Sequence, residues 1–183
     1  VYKVEEIEGE SYSFLDSITD EISALGTGAN LLVNGDFTVM GGGQATGWLE
    51  TGLVKSGAYS DICMSGTNLG VHTTNVFRIN GEPSAEKHIS QTIAPVEALE
   101  KGDILTLGGW MRANPITSNE ENGRFCGLKI AYTYTAEDEN GQPSENTVTE
   151  KLPFLNTNGT WIFSAAEFTL IGSPKDNEIT VYA

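Results

Sequence analysis

Chemistry in this chain would have to come from its carboxylates, because the 183 residues hold 25 Asp and Glu but only two His and two Cys. A glycoside hydrolase needs two carboxyl groups at a fixed separation, one of them raised in pKa by a partly apolar cleft. The acidic runs Glu5–Glu10, Glu120–Glu121 and Glu137–Glu139 fall instead in stretches that read as loops or exposed segments, where acids are solvated. A nucleophilic triad would have to use His72 or His88 as base, with a serine on a sharp elbow. No GxSxG is present, and nothing marks Ser65 in "MSGTNLG" as activated. "GGGQATG" at 41–47 leads into Trp48 and a strand pattern rather than a helix, so it reads as a loop and not a phosphate cradle. Cys63 and Cys126 have no CxxC spacing for metal; Cys126 shares the phase of Leu128 and Ile130, which predicts a buried free thiol and leaves a single disulfide open. The expectation is a protein that is not an enzyme, a small hydrolase being kept only because its acids cannot be placed from sequence.

Aromatic residues offer a different chemistry. A pyranose presents apolar C–H faces that pack on indole or phenol rings, while planar polar side chains take its hydroxyls. In "DILTLGGWMRA", strand alternation puts Leu105, Leu107 and Met111 on one face and Thr106, Trp110 and Arg112 on the other. A tryptophan beside an arginine is unusual on a plain solvent face, and Gly108 and Gly109 leave room for a close approach. With Lys129 placed on a neighbouring strand, Trp110, Arg112 and Lys129 form the candidate ligand-binding set. Tyr132 and Tyr134, in the phase of Leu128 and Ile130, are expected in or at the edge of the core. A Trp110 covered by an N-terminal helix is the competing reading.

The elements that would carry these residues change character at residue 30. In "SYSFLDSITDEISAL", Leu15, Ile18, Ile22 and Leu25 recur at spacings of three and four, which predicts a short helix over 13–25, with "GTGA" as a linker. "VYKVEEIEG" before it reads as a short strand. From Leu31 the period becomes two, with strands predicted at 48–54, 74–79, 87–94, 103–113, 124–135, 147–154, 161–170 and 178–182, separated by Gly, Asn, Pro and Ser clusters. Short strands with no second helix predict an all-β sandwich or barrel. The domain reading is residues 1–29 as an extension or linker and 30–183 as the sandwich.

Bulk charge narrows the partners. With a net charge of −15, a pI near 4.3 and no clustered basic stretch of the kind a phosphate backbone needs, nucleic acid is a poor partner. Such acidity suits extracellular proteins that bind calcium or neutral sugars, and serves equally as a solubility device. No apolar run approaches the roughly 20 residues of a membrane span. Val1 in place of a start methionine, with no charged-then-apolar leader, leads us to expect a processed or excised piece of a longer chain.

Taken in order, "NLLVNGDF" at 30–37, Gly47-Trp48, "ISQTIAP" at 89–95, "KGDILTLGGWMRA" at 101–113, "GTW" at 159–161 and the closing "ITVYA" resemble the β-sandwich carbohydrate-binding modules attached to bacterial cellulases and xylanases. They look closer still to the sandwich domains of secreted, wall-associated YD-repeat (RHS-type) proteins. The resemblance implies a jelly-roll-like antiparallel sandwich in which "NLLVNGDF" is the first strand and turn, with Phe37 packing beneath Trp48. It implies a non-catalytic module of a larger extracellular or cell-wall-associated bacterial protein, binding polysaccharide or surface glycan beside neighbouring domains of its parent. The alternative is a structural spacer or adhesion module without a sugar site. Members also place a Glu after "GDF" beside a structural calcium that uses an Asp in a final strand. Here Thr38 stands in that place and the chain ends at Ala183 before such a strand, so calcium remains only an open expectation. The same comparison implies a sandwich lacking its last strand, whose open edge Val1–Ile7 or a downstream segment would cover.

Overall fold

The computed structural model describes residues 5–7, 10–12, 30–58, 60–65, 75–82, 85–113, 125–154 and 157–183. The helix expected over 13–25 lies outside them, as does His72. The chain divides into two compact units, Val1–Asn30 and Leu31–Ala183. In the first, β1 (Glu5–Ile7) and β2 (Glu10–Tyr12) pair as an antiparallel hairpin, so the partner of Glu5–Ile7 is its own neighbour in sequence.

The second unit is an all-β antiparallel sandwich. In chain order it carries β3 (Met40–Gly41), β4 (Gln44–Ala45), β5 (Leu49–Thr51), β6 (Ile62–Ser65), β7 (Asn75–Arg78), β8 (His88–Ile93), β9 (Ile104–Met111), β10 (Gly127–Glu137), β11 (Pro143–Pro153), β12 (Ile162–Thr169) and β13 (Ile179–Tyr182). All eight strands predicted in this unit are present. Five strands form one sheet in the order β11-β10-β13-β8-β5, and β12 pairs with β9 in a second. β3–β4 and β6–β7 are local hairpins. The C-terminal β13 is an interior strand, hydrogen-bonded to β10 on one side and β8 on the other.

Alternation explains where the core sits. Ile130 faces Val181 across β10 and β13, and Ile179 faces Ile93 across β13 and β8, so each strand turns the same phase inward. These residues cluster with Leu128, Tyr132, Leu170 and, from the opposing sheet, Leu107. Ile89 is 1% exposed, and burying a side chain of that size is worth about 1.5–3 kcal/mol. The other phase carries cross-strand threonine pairs, Thr92 with Thr180 at 3.0 Å and Thr133 with Thr147 at 3.2 Å. Tyr132 is buried, and its hydroxyl accepts the Ile171 N–H at 3.0 Å. A phenol there satisfies a backbone donor that would otherwise be stranded.

The "NLLVNGDF" stretch contains the expected turn but not the expected strand, because residues 31–32 pair with no strand. A side chain does the work of a ladder partner. Gln91, buried in β8, accepts the Val33 N–H at 2.8 Å and donates to the Val33 carbonyl at 2.9 Å and the Gly47 carbonyl at 3.0 Å. Asn34 makes a second clamp: its amide donates to the carbonyls of Val39 and Thr46 at 2.7 and 2.8 Å and accepts the Val39 N–H at 2.9 Å. Its φ of 54° is left-handed, a conformation Asn tolerates better than other residues with a Cβ. The Trp48 indole N–H reaches the Asn34 carbonyl at 3.1 Å, and Phe37 packs on Trp48 with ring centroids 5.7 Å apart, as expected. The motif therefore fastens the start of the sandwich to β8.

Candidate functional site

Trp110 lies in β9 directly opposite Phe163 of β12. The rings are 46% and 44% exposed, with centroids 5.5 Å apart and planes tilted by 54°. Both stand on the face of the β9–β12 pair turned away from the core, since Leu107 and Met111, of opposite phase, are buried. Gly108 is what lets this pair form. A Cβ there would lie 2.9 Å from Ala165 Cβ, 3.1 Å from the Ser164 carbonyl oxygen and 3.2 Å from Phe163 Cζ. A Cβ at Gly109 would meet Leu128 Cδ1 at 3.4 Å, on the core side. The close approach expected at these two glycines is made by the protein's own groups.

Arg112 follows β9 in the phase of Trp110 and is exposed. Lys129 does not join them. β9 pairs with β12, whereas β10 pairs with β11 and β13, so Lys129 is on no strand neighbouring Trp110. Its phase is opposite to that of the core residues Leu128 and Ile130, which puts it on the outer face of the five-stranded sheet, away from β9. There its ammonium sits 4.8 Å from the Tyr182 ring centroid and 3.8 Å from the Glu86 carboxylate. His88, on the same face, meets Tyr182 edge-on at 5.3 Å, with Nδ1 3.5 Å from Glu86. Phe163 was not singled out from the sequence. Its partnership with Trp110 becomes visible only with the β9–β12 register.

Two open grooves, of about 530 and 500 Å³, lie elsewhere. One is lined by Tyr134, Ile171, Gly172 and Lys175, the other by Gln44, Thr46, Trp48 and Glu50. Trp110 borders neither; it stands exposed on its face, and stacking on a sugar ring requires only such a platform.

Among the described residues, no three of His, Cys, Asp and Glu converge where they could hold a metal ion. Thr38, at the position the resemblance connects with calcium, donates its N–H and its hydroxyl to Asp36 Oδ1 at 3.2 and 3.0 Å. Cys63 and Cys126 are both free thiols; burial pushes both pKa values up, with the nearby Glu50 charge adding to the effect at Cys63.

One buried polar cluster went unforeseen. Asp61 is fully buried, accepting the Val54 N–H at 2.8 Å on Oδ2 and the Asn80 N–H at 2.6 Å on Oδ1. The Lys87 ammonium lies 3.0 Å from Oδ2 and also donates to the Asn80 carbonyl and to Glu82 Oε1, each at 3.0 Å. Burial alone would raise the Asp61 pKa; the two backbone donors and Lys87 outweigh it and hold the carboxyl below its usual range. Hydrogen bonds to Asp61 and Glu82 push Lys87 upward, against the smaller effect of burial.

No protein-family model and no curated protein matches this chain. Among solved structures it is similar to a family 16 carbohydrate-binding module, at 19% identity over 84% of this chain and 86% of that one, with a TM-score of 0.45. A likeness that loose carries no weight for ligand or mechanism, and the sandwich rests on the strand pairing itself; the wall-associated repeat proteins have no counterpart among these findings.

Proposed function

We propose that this chain is a non-catalytic, glycan-binding β-sandwich module of a larger extracellular protein. The observation that carries the reading is the exposed Trp110–Phe163 pair on the outer face of β9 and β12. Two large apolar rings on a surface of net charge −15 cost solvation unless something covers them. An uncharged sugar face covers them without meeting the charge. Arg112, in phase with Trp110, supplies hydroxyl-directed donors at the edge of the platform. Because the rings are tilted by 54°, both cannot lie flat on one planar crystalline surface. The ligand is therefore a single soluble glycan chain or its terminus. Lys129 belongs to a different face and has no part in this platform. A spacer or adhesion module without a sugar site is the second reading, favoured by the extensive Gln91 and Asn34 clamps, which serve rigidity alone. A glycan-array screen of wild type beside Trp110→Ala, with and without calcium, separates the two: a defined hit lost in the variant supports binding, and folded protein with no hit supports the spacer.

A further inference from the structure

The Asp61–Lys87–Glu82 cluster has a geometry that the glycan reading does not use. An amine and a carboxyl group face each other at 3.0 Å with side chains 3% and 0% exposed, and a second carboxylate, Glu82, touches the same nitrogen at 3.0 Å from a half-exposed position. An ion pair so enclosed loses the hydration of both charges, which makes it a poor device for stability alone. Its parts are, however, those of an amide-forming site. Groups fixed at contact distance react at effective concentrations of about 10⁵–10⁸ M. Two backbone N–H groups, from Asn80 and Val54, already point at the carboxyl oxygens, where negative charge grows during attack on a carbonyl carbon. Exclusion of bulk water also favours condensation over hydrolysis.

We infer that Lys87 Nζ and Asp61 Cγ form an intramolecular isopeptide bond, with Glu82 as the proton relay. Nζ passes one proton to Oδ2 along their hydrogen bond, giving the neutral amine and carboxylic acid. The nitrogen electron pair attacks Cγ, and the charge on Oδ1 is taken up by the Asn80 N–H. Glu82 removes a second proton from Nζ and delivers it to the departing Oδ2, which leaves as water. Nζ keeps its third proton as the amide hydrogen, and Glu82 returns to its starting state. One C–N bond forms, one C–O bond breaks, and no oxidant or cofactor enters. The ion pair is the state before reaction, and its two charges cancel on the way to a neutral amide. The product closes a covalent loop from 61 to 87 that ties the entry of β6 to the entry of β8.

Intact-mass spectrometry of the denatured, purified chain tests this directly. The expected mass is that of the sequence less one water molecule. Trypsin should then fail to cut after Lys87 and yield one branched peptide joining segments 56–78 and 79–101. Glu82→Gln, at a half-exposed position where folding survives, should return the full sequence mass with cleavage after Lys87 restored. Wild-type protein at full mass overturns the inference, as does a water loss that maps to any pair other than Asp61 and Lys87. A Glu82→Gln protein as light as wild type overturns the relay role of Glu82.

Discussion

Replacing Gln91 by leucine should unfasten the start of the sandwich. The Gln91 amide makes three hydrogen bonds, accepting from Val33 and donating to the Val33 and Gly47 carbonyls. Leucine matches the volume and burial of the site but makes none of them. Each such bond is worth about 1 kcal/mol net. The three sum to about 3 kcal/mol, and water can recover part of this at Val33, which is exposed, so the loss should be about 2–3 kcal/mol. With a urea slope near 2 kcal/mol/M, the unfolding midpoint should fall by about 1–1.5 M. Tryptophan fluorescence is a suitable probe because the indole N–H of Trp48, next to Gly47, is held by Asn34 inside the same clamp. Gln91→Glu sharpens the test. It keeps an acceptor for the Val33 N–H but turns a carboxylate toward two carbonyl oxygens, so its own folded pKa should be raised. A raised carboxyl pKa means stability is present at low pH and lost as pH rises through that value. The Glu variant should therefore be less stable than the Leu variant at pH 7 and recover toward pH 4. A Gln91→Leu protein within about 0.5 kcal/mol of wild type would refute the clamp.

Gly108→Ala should cost about 1–3 kcal/mol by crowding Ala165 and the Ser164 carbonyl, and should displace Phe163, weakening any glycan hit together with stability; urea titration and the array check both. Asn34→Ala should cost about 2 kcal/mol, through three lost hydrogen bonds and a left-handed φ that alanine holds poorly, read as a fall in denaturation midpoint. In Glu82→Gln, where Asp61 and Lys87 stay ionic, the depressed Asp61 pKa contributes stability above the usual 3.8 that is lost as pH falls through the folded value. An acid titration followed by fluorescence should show that loss in the variant and not in the wild type.

How far the sequence carries the fold is clearest strand by strand. β9 and β10, with eight and eleven residues, alternate long enough for period two to mark both their existence and their buried phase. β6 has four residues and the β3–β4 hairpin two on each side, too few for a period to register. Pairing is harder still, because alternation says which face a side chain takes and nothing about which strand lies alongside. That is why Lys129 was grouped with Trp110 and Phe163 was not. The role of Gln91 was equally hidden: it acts across 58 residues of sequence on a backbone segment that forms no ladder. Asp61 and Lys87 read as ordinary charges in polar stretches, and only their convergence with Asn80 makes them a buried site.

Glycan binding at the Trp110 platform is tested most directly through the indole N–H resonances of the three tryptophans, Trp48, Trp110 and Trp161, followed while a glycan from the array is titrated into labelled protein. The Trp110 signal alone should shift and saturate, and Trp110→Ala should abolish binding without lowering stability. Saturable binding that moves the Trp48 signal and leaves Trp110 unchanged would contradict the account and put the ligand in the groove beside Gly47.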